Sequence, residues 1–172
     1  MPGEDRFKEP RIFDMPSYTM AVVESKGDPN VVGEEVFPAL YGAVYGLKFQ
    51  RRKEGLEDFK VTGLRARWPD AHLLPKDQWT GLWGLPIPDG TTELPRKVES
   101  PDVRIEVWEY GAVAQILHVG PYSEEGPTIE HLHRFIEESG FEIAGPHEEE
   151  YLTRPDAREP KTFIRYEVRR RK

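Results

Sequence analysis

The sequence contains no cysteine. Disulfides, thiol nucleophiles and thiolate metal sites are excluded at once. No apolar run approaches the ~18 residues that a membrane-spanning helix needs. The first sixteen residues, MPGEDRFKEPRIFDMP, lack the apolar core of a secretory signal. A cytoplasmic protein with no membrane partner is the expectation. Neither GxxxxGKS/T nor GxGxxG occurs, so nothing points to a nucleotide-phosphate cradle, and GxSxG is also missing. HExxH is absent, and His131 and His133 stand two apart, which puts them on different faces of a helix. No metal and no cofactor are expected from these spacings. Basic charge is in deficit: 24 Lys and Arg against 31 Asp and Glu give a net charge of −7. Such a surface offers no general attraction for phosphates, so no direct nucleic-acid partner is expected. The basic run 169–172 reads as a solvated tail.

What is present suits a modest folded domain. Of 172 residues, 37% are hydrophobic and 11% aromatic, enough for a core, while 32% are charged, enough to solvate its surface. Residues 1–17 mix charge and proline and read as an N-terminal arm, anchored by Phe7, Ile12 and Phe13. A strand is predicted over 18–24, a turn at 26–29, and a helix over about 33–52, with Pro38 near its beginning. Strands are predicted over 59–68, 79–87, 103–110 and 112–118. Residues 88–101, rich in Pro, Thr and charge, read as a linker. A helix follows over 124–139, with Ile129, Leu132, Phe135 and Ile136 as its apolar stripe and Gly140 as its stop. A strand containing residues 149–153 and a last strand over 162–168 complete the chain.

The order strand, helix, strand, strand occurs twice. AVVESKGDP (21–29) parallels AQILHVGPY (114–122), and RARWP (65–69) parallels LTRP (152–155). The fold class expected is α+β: tandem duplicated strand–helix–strand–strand units, about 18–87 and 102–168, forming one domain over 18–168 with a ligand groove between the halves.

Three stretches, HVGPY (118–122), ESGF (138–141) and AGPHEEEYLTRP (144–155), together with LYGAVYGLKF (40–49) and DFKV (58–61), resemble the GyrI-like small-molecule-binding domains. These are related to the effector-binding domains of AraC-type and multidrug-sensing regulators. The resemblance spans residues 18–168 and implies the same tandem fold. It also implies that Glu149, in the pattern Glu-x-Tyr-Leu, is the acidic pocket residue that faces cationic aromatic ligands. Some stand-alone members are hydrolases that open the cyclopropane of DNA-alkylating natural products. That branch tends to carry Leu-Glu-Gly-Leu-Trp-Trp after DFKV. This chain has Leu64-Arg65-Ala66-Arg67-Trp68-Pro69, with arginine in place of the glutamate.

On a strand, Glu149, Tyr151 and Thr153 share a face, and Glu148 and Glu150 are expected to face outward. Tyr41 and Tyr45, four apart on the first helix, share a face close to its apolar stripe. The ligand-binding set is therefore Glu149, Tyr151, Tyr41, Tyr45, Trp83 and Trp68, with Glu149 the catalytic residue if the protein is an enzyme. Binding of amphipathic, cationic or aromatic small molecules is the first reading. A hydrolase of strained or electrophilic small molecules is the second, and inhibition of a partner enzyme such as gyrase the third. If Glu149 is buried among aromatics without a basic partner, its pKa is expected to rise.

Overall fold

The computed structural model describes residues 6–95, 101–154 and 156–172. Part of the expected arm, part of the expected linker and Pro155 of the LTRP segment lie outside them. The chain divides into two compact units, Ser17–Glu109 and Met1–Pro16 with Tyr110–Lys172.

In the first unit, β2 (Tyr18–Lys26) is central. It pairs antiparallel with β4 (Thr80–Pro86) on one side and β5 (Val103–Trp108) on the other, and β3 (Arg65–Trp68) pairs with β4. The segment predicted as one strand over 59–68 is regular only over β3. The second repeat was expected to open with residues 102–110, but β5 hydrogen-bonds along β2 and belongs to this unit. Helix α1 (Pro29–Lys53) packs on β2 and β4. It begins four residues before the predicted start. Asp28 accepts the first helical bonds through its carbonyl, from the amides of Val31 and Val32. Pro29 then stands at the first helical position, where its fixed φ helps and its missing N–H costs nothing. Pro38 is thus interior rather than near the beginning. It sits on the exposed side of the helix, where water can satisfy the carbonyl one turn back. Leu40, Val44 and Leu47 are buried along the inner face.

The second unit is built on β6 (Gly111–Val119) and β9 (Lys161–Arg170), which pair antiparallel. β8 (His147–Tyr151) extends the sheet beyond β9, and β7 (Phe141–Ile143) pairs with the far end of β9. The expected arm is partly structured, since β1 (Arg11–Met15) pairs with β6. The basic run is not all tail either, because Arg169 and Arg170 continue β9 and Arg169 bonds Glu142 at 3.0 Å. Helix α2 (Gly126–Glu138) lays Leu132 and Ile136 onto Ala114, Ile116, Ile164, Tyr166 and Val168, with Ile129 at the margin. That is the predicted stripe but for Phe135, which is half-buried and lies outside this cluster. Each unit carries one α-helix against its strands, and the fold is α+β with two α-helices among the described residues.

Candidate functional site

The face of β8 that carries His147, Glu149 and Tyr151 lies on the same sheet side as Ile164 and Tyr166 of β9. Nε2 of His147 is 2.7 Å from Oε2 of Glu149. Nδ1 of His147 is 2.7 Å from the Tyr166 hydroxyl, which is also 2.9 Å from Nε2 of His133 on α2. A four-group chain therefore leads from exposed His133 to Glu149, which is 6% exposed. Tyr151 donates to Glu149, and its ring meets Tyr122 edge to face at 5.6 Å.

Glu125 completes the cluster. It occupies the capping position of α2 but makes no side-chain bond to its own helix. Its carboxyl instead meets Glu149. The loop before Glu125 is fixed by His118. Nε2 of His118 is 3.1 Å from the Pro121 carbonyl and must donate to it, which leaves Nδ1 to accept from the Thr128 hydroxyl at 2.8 Å. The HVGPY segment thus fastens the start of α2 to β6.

Electrostatics follow from this packing. Burial pushes the Glu149 carboxyl up, but the hydrogen bond and charge of His147, with bonds from Glu125 and Tyr151, together outweigh it and hold the pKa below 4.5. The expectation of a raised pKa is corrected, because its condition fails: the basic partner exists, two residues away on the same strand face. Burial raises the Tyr151 phenol well above its ordinary value, with the charges of Glu149 and Glu125 adding to it, and Tyr122 and Tyr166 move the same way for the same reasons. These phenols stay protonated. His133 is lowered by burial and then by His147.

Glu148 and Glu150 do not face solvent as expected. The alternation along β8 holds, but the second sheet face carries Arg165. The Arg165 guanidinium reaches Glu148 at 2.9 Å, Glu150 at 2.8 Å and the Gln115 amide oxygen at 2.9 Å. Glu148 also accepts from the Tyr110 hydroxyl. The acidic run therefore divides into a counter-ion pair for a buried arginine and a single glutamate on the opposite face.

Of the other expected ligand-binding residues, all lie in the first unit. Trp68 and Trp83 are buried in its core, edge to face at 5.7 Å. Trp83 donates to Ser25 Oγ at 2.8 Å and meets Phe37 at 5.0 Å. Tyr41 and Tyr45 stack on α1 with centroids 6.4 Å apart. Arg65 is buried with its guanidinium 4.2 Å over the Tyr18 ring. The residues that the sequence reading missed are Glu125, Tyr166 and the role of His147. Only His147 left a trace in the sequence, as a histidine at period two from Glu149.

The second unit gathers carboxyl, imidazole and phenol groups on one sheet face. The chain belongs to the GyrI-like small molecule binding domain family, whose profile matches residues 8–168. An uncharacterized conserved protein from Listeria innocua is similar over 98% of both chains, with a TM-score of 0.85 and 27% identity. A hydrolase from Listeria innocua is similar over 98% of both chains, with a TM-score of 0.82 and 26% identity. The C-terminal domain of EcmrR shares the fold at a TM-score of 0.60 and 12% identity, over 95% of this chain and 98% of that one. No curated protein matches the chain.

Proposed function

We propose that the protein binds amphipathic aromatic small molecules that carry positive charge, with Glu149 as their counter-ion. One observation carries this reading: Glu149 is buried yet held on the ionised side of its ordinary range. A carboxylate kept charged in a poorly solvated place attracts a cation more strongly than one in water. The Tyr151 and Tyr122 rings beside it would add cation–π attraction of about 0.5–2 kcal/mol each. Family membership supports a small-molecule ligand. The test is fluorescence anisotropy of rhodamine 6G, an aromatic monocation, with the anionic dye fluorescein as control. Saturable binding of the cation is expected, with at least a tenfold loss (about 1.4 kcal/mol) in Glu149→Gln. Equal binding by the mutant, or by fluorescein, sinks the reading.

Hydrolysis of a strained electrophile is the second reading. Two observations favour it: the full-length likeness to a protein described as a hydrolase, and two buried carboxyls, Glu125 and Glu149, brought close together. It ranks second because a carboxylate with a lowered pKa is a weaker base, and because Arg65 stands where the hydrolase branch has glutamate. Incubation with a cyclopropane-bearing alkylator, followed by mass analysis, decides it. A water adduct no faster than in buffer removes it.

A further inference from the structure

We propose that Glu125, His147 and Glu149 form a site for one first-row divalent metal ion, with Zn²⁺ the best fit. One ligand atom from each residue lies within 4.8 Å of the others. A tetrahedral ion with bonds of about 2.0–2.2 Å holds its ligand atoms about 3.3–3.6 Å apart, so the widest pair would close by up to about 1.5 Å and the 2.7 Å His147–Glu149 pair would open by about 0.6–0.9 Å. The spacing, Glu125 then His147-x-Glu149, matches no short metal motif, which is why the sequence suggested none.

Three features suit the cluster to a metal. First, two buried carboxyls face each other and need a cation between them. A divalent ion there would neutralise both. Arg165 does not serve this purpose, since its guanidinium goes to Glu148 and Glu150 on the other sheet face.

Second, His147 has the outer partner that a ligating histidine requires. Its Nε2 must be deprotonated to bind a metal, so Nδ1 must carry the proton and donate to the Tyr166 oxygen. The Tyr166 hydroxyl then donates to Nε2 of His133. The separations of 2.7 Å and 2.9 Å serve that direction as well as the reverse. The chain His147–Tyr166–His133 can therefore invert as a unit: the ligating tautomer keeps both of its bonds through Tyr166, and the metal takes the place of the Nε2–Glu149 bond.

Third, the ligands stand on fixed supports. Two are on β8, and the third opens α2, which His118 fastens to β6.

One imidazole with two carboxylates favours zinc over the all-oxygen ions magnesium and calcium. Three protein ligands also leave one tetrahedral position open, to water or to a ligand oxygen. The site shares Glu149 with the organic-cation reading but does not rest on it. Dye binding measured in EDTA tests that reading alone, so either can fail without the other.

The experiment is calorimetric titration of ZnCl₂ into full-length, EDTA-stripped and dialysed protein at neutral pH, with MgCl₂ in parallel. One zinc per chain is expected, with no saturable magnesium heat. Glu125→Gln, His147→Ala and Glu149→Gln should each weaken zinc by at least about 100-fold, and Tyr166→Phe, which breaks only the outer bond, by about tenfold. His131→Ala, an exposed histidine outside the cluster, should bind as wild type. Thermal melts confirm that each variant is folded, and the near-isosteric glutamines keep the test open if His147→Ala is not. No saturable zinc binding by folded wild type overturns the proposal. So does a folded Glu125→Gln with wild-type affinity, or a loss in His131→Ala equal to that in His147→Ala.

Discussion

Nε2 of His147 sits 2.7 Å from Oε2 of Glu149, two residues along the same face of β8. With the charge of His147 and the bonds from Glu125 and Tyr151, it reverses the pH dependence that burial alone would give. Glu149 has a folded pKa below its ordinary 4.5. A carboxyl so lowered contributes stability above its unfolded pKa, and that contribution is lost as pH falls through the folded value. Glu149→Gln is therefore expected to melt below wild type at pH 7, with the gap closing as pH drops below 4.5. A mutant more stable than wild type at pH 7 would contradict it.

His147→Phe should change the sign. Without the imidazole, burial, the largest influence on Glu149, acts against a weaker set of opposing bonds. The carboxyl pKa then moves up. In proportion to that rise, its contribution moves to the acid side and is lost as pH climbs. The measurement is the pH slope of urea-unfolding free energy between pH 4 and 7, a window chosen to span roughly the carboxylate range. A slope as steep as wild type in the same direction would mean that other groups hold Glu149 charged.

Arg165 and Glu148 are both almost fully buried and bond at 2.9 Å. Arg165→Met takes the guanidinium away from buried Glu148, which keeps the bond from the Tyr110 hydroxyl, and should cost about 3–5 kcal/mol. Adding Glu148→Leu should recover much of that loss, because an apolar pair of similar volume is often as stable as a buried ion pair. Urea denaturation of the two single variants and the double variant tests it. Additive losses would show that the two residues act independently.

Much of the second unit was legible in the sequence because its periodicities are unambiguous. The α2 stripe and the shared face of Glu149 and Tyr151 follow from 3.6-residue and two-residue repeats. What surrounds each face was not legible. Alternation separates Glu148 from Glu149 but does not say that Arg165, on another strand, covers the second face. Glu125 joins the cluster only because the Pro121–Glu125 turn, held by His118, aims it back at β8. In the first unit, aromatic surplus suggested pocket walls for Trp68 and Trp83, whereas the helix face bearing Phe37 buries Trp83. A large ring reads the same in sequence whether it lines a groove or fills a core.

Two glycines of that first unit make opposite predictions from one substitution. Gly42 lies inside α1, and a methyl there meets nothing within 4 Å. Gly42→Ala removes backbone freedom from the unfolded chain at no steric cost, so it should stabilise by about 0.5–1 kcal/mol. Gly81 lies on β4 opposite Ser25. A methyl there would fall 2.7 Å from Ser25 Oγ and 2.8 Å from Trp83 Nε1, the two atoms of a buried hydrogen bond. Gly81→Ala must push them apart, losing the bond and displacing a packed indole, and should cost about 1–3 kcal/mol. Trp83 emission should shift as its N–H leaves the hydroxyl. Denaturant midpoints for both variants, with tryptophan emission of the native states, give the answer. A neutral Gly81→Ala with unchanged emission would mean that Trp83 can move freely, and would reopen the place of that ring as a groove wall rather than a core residue.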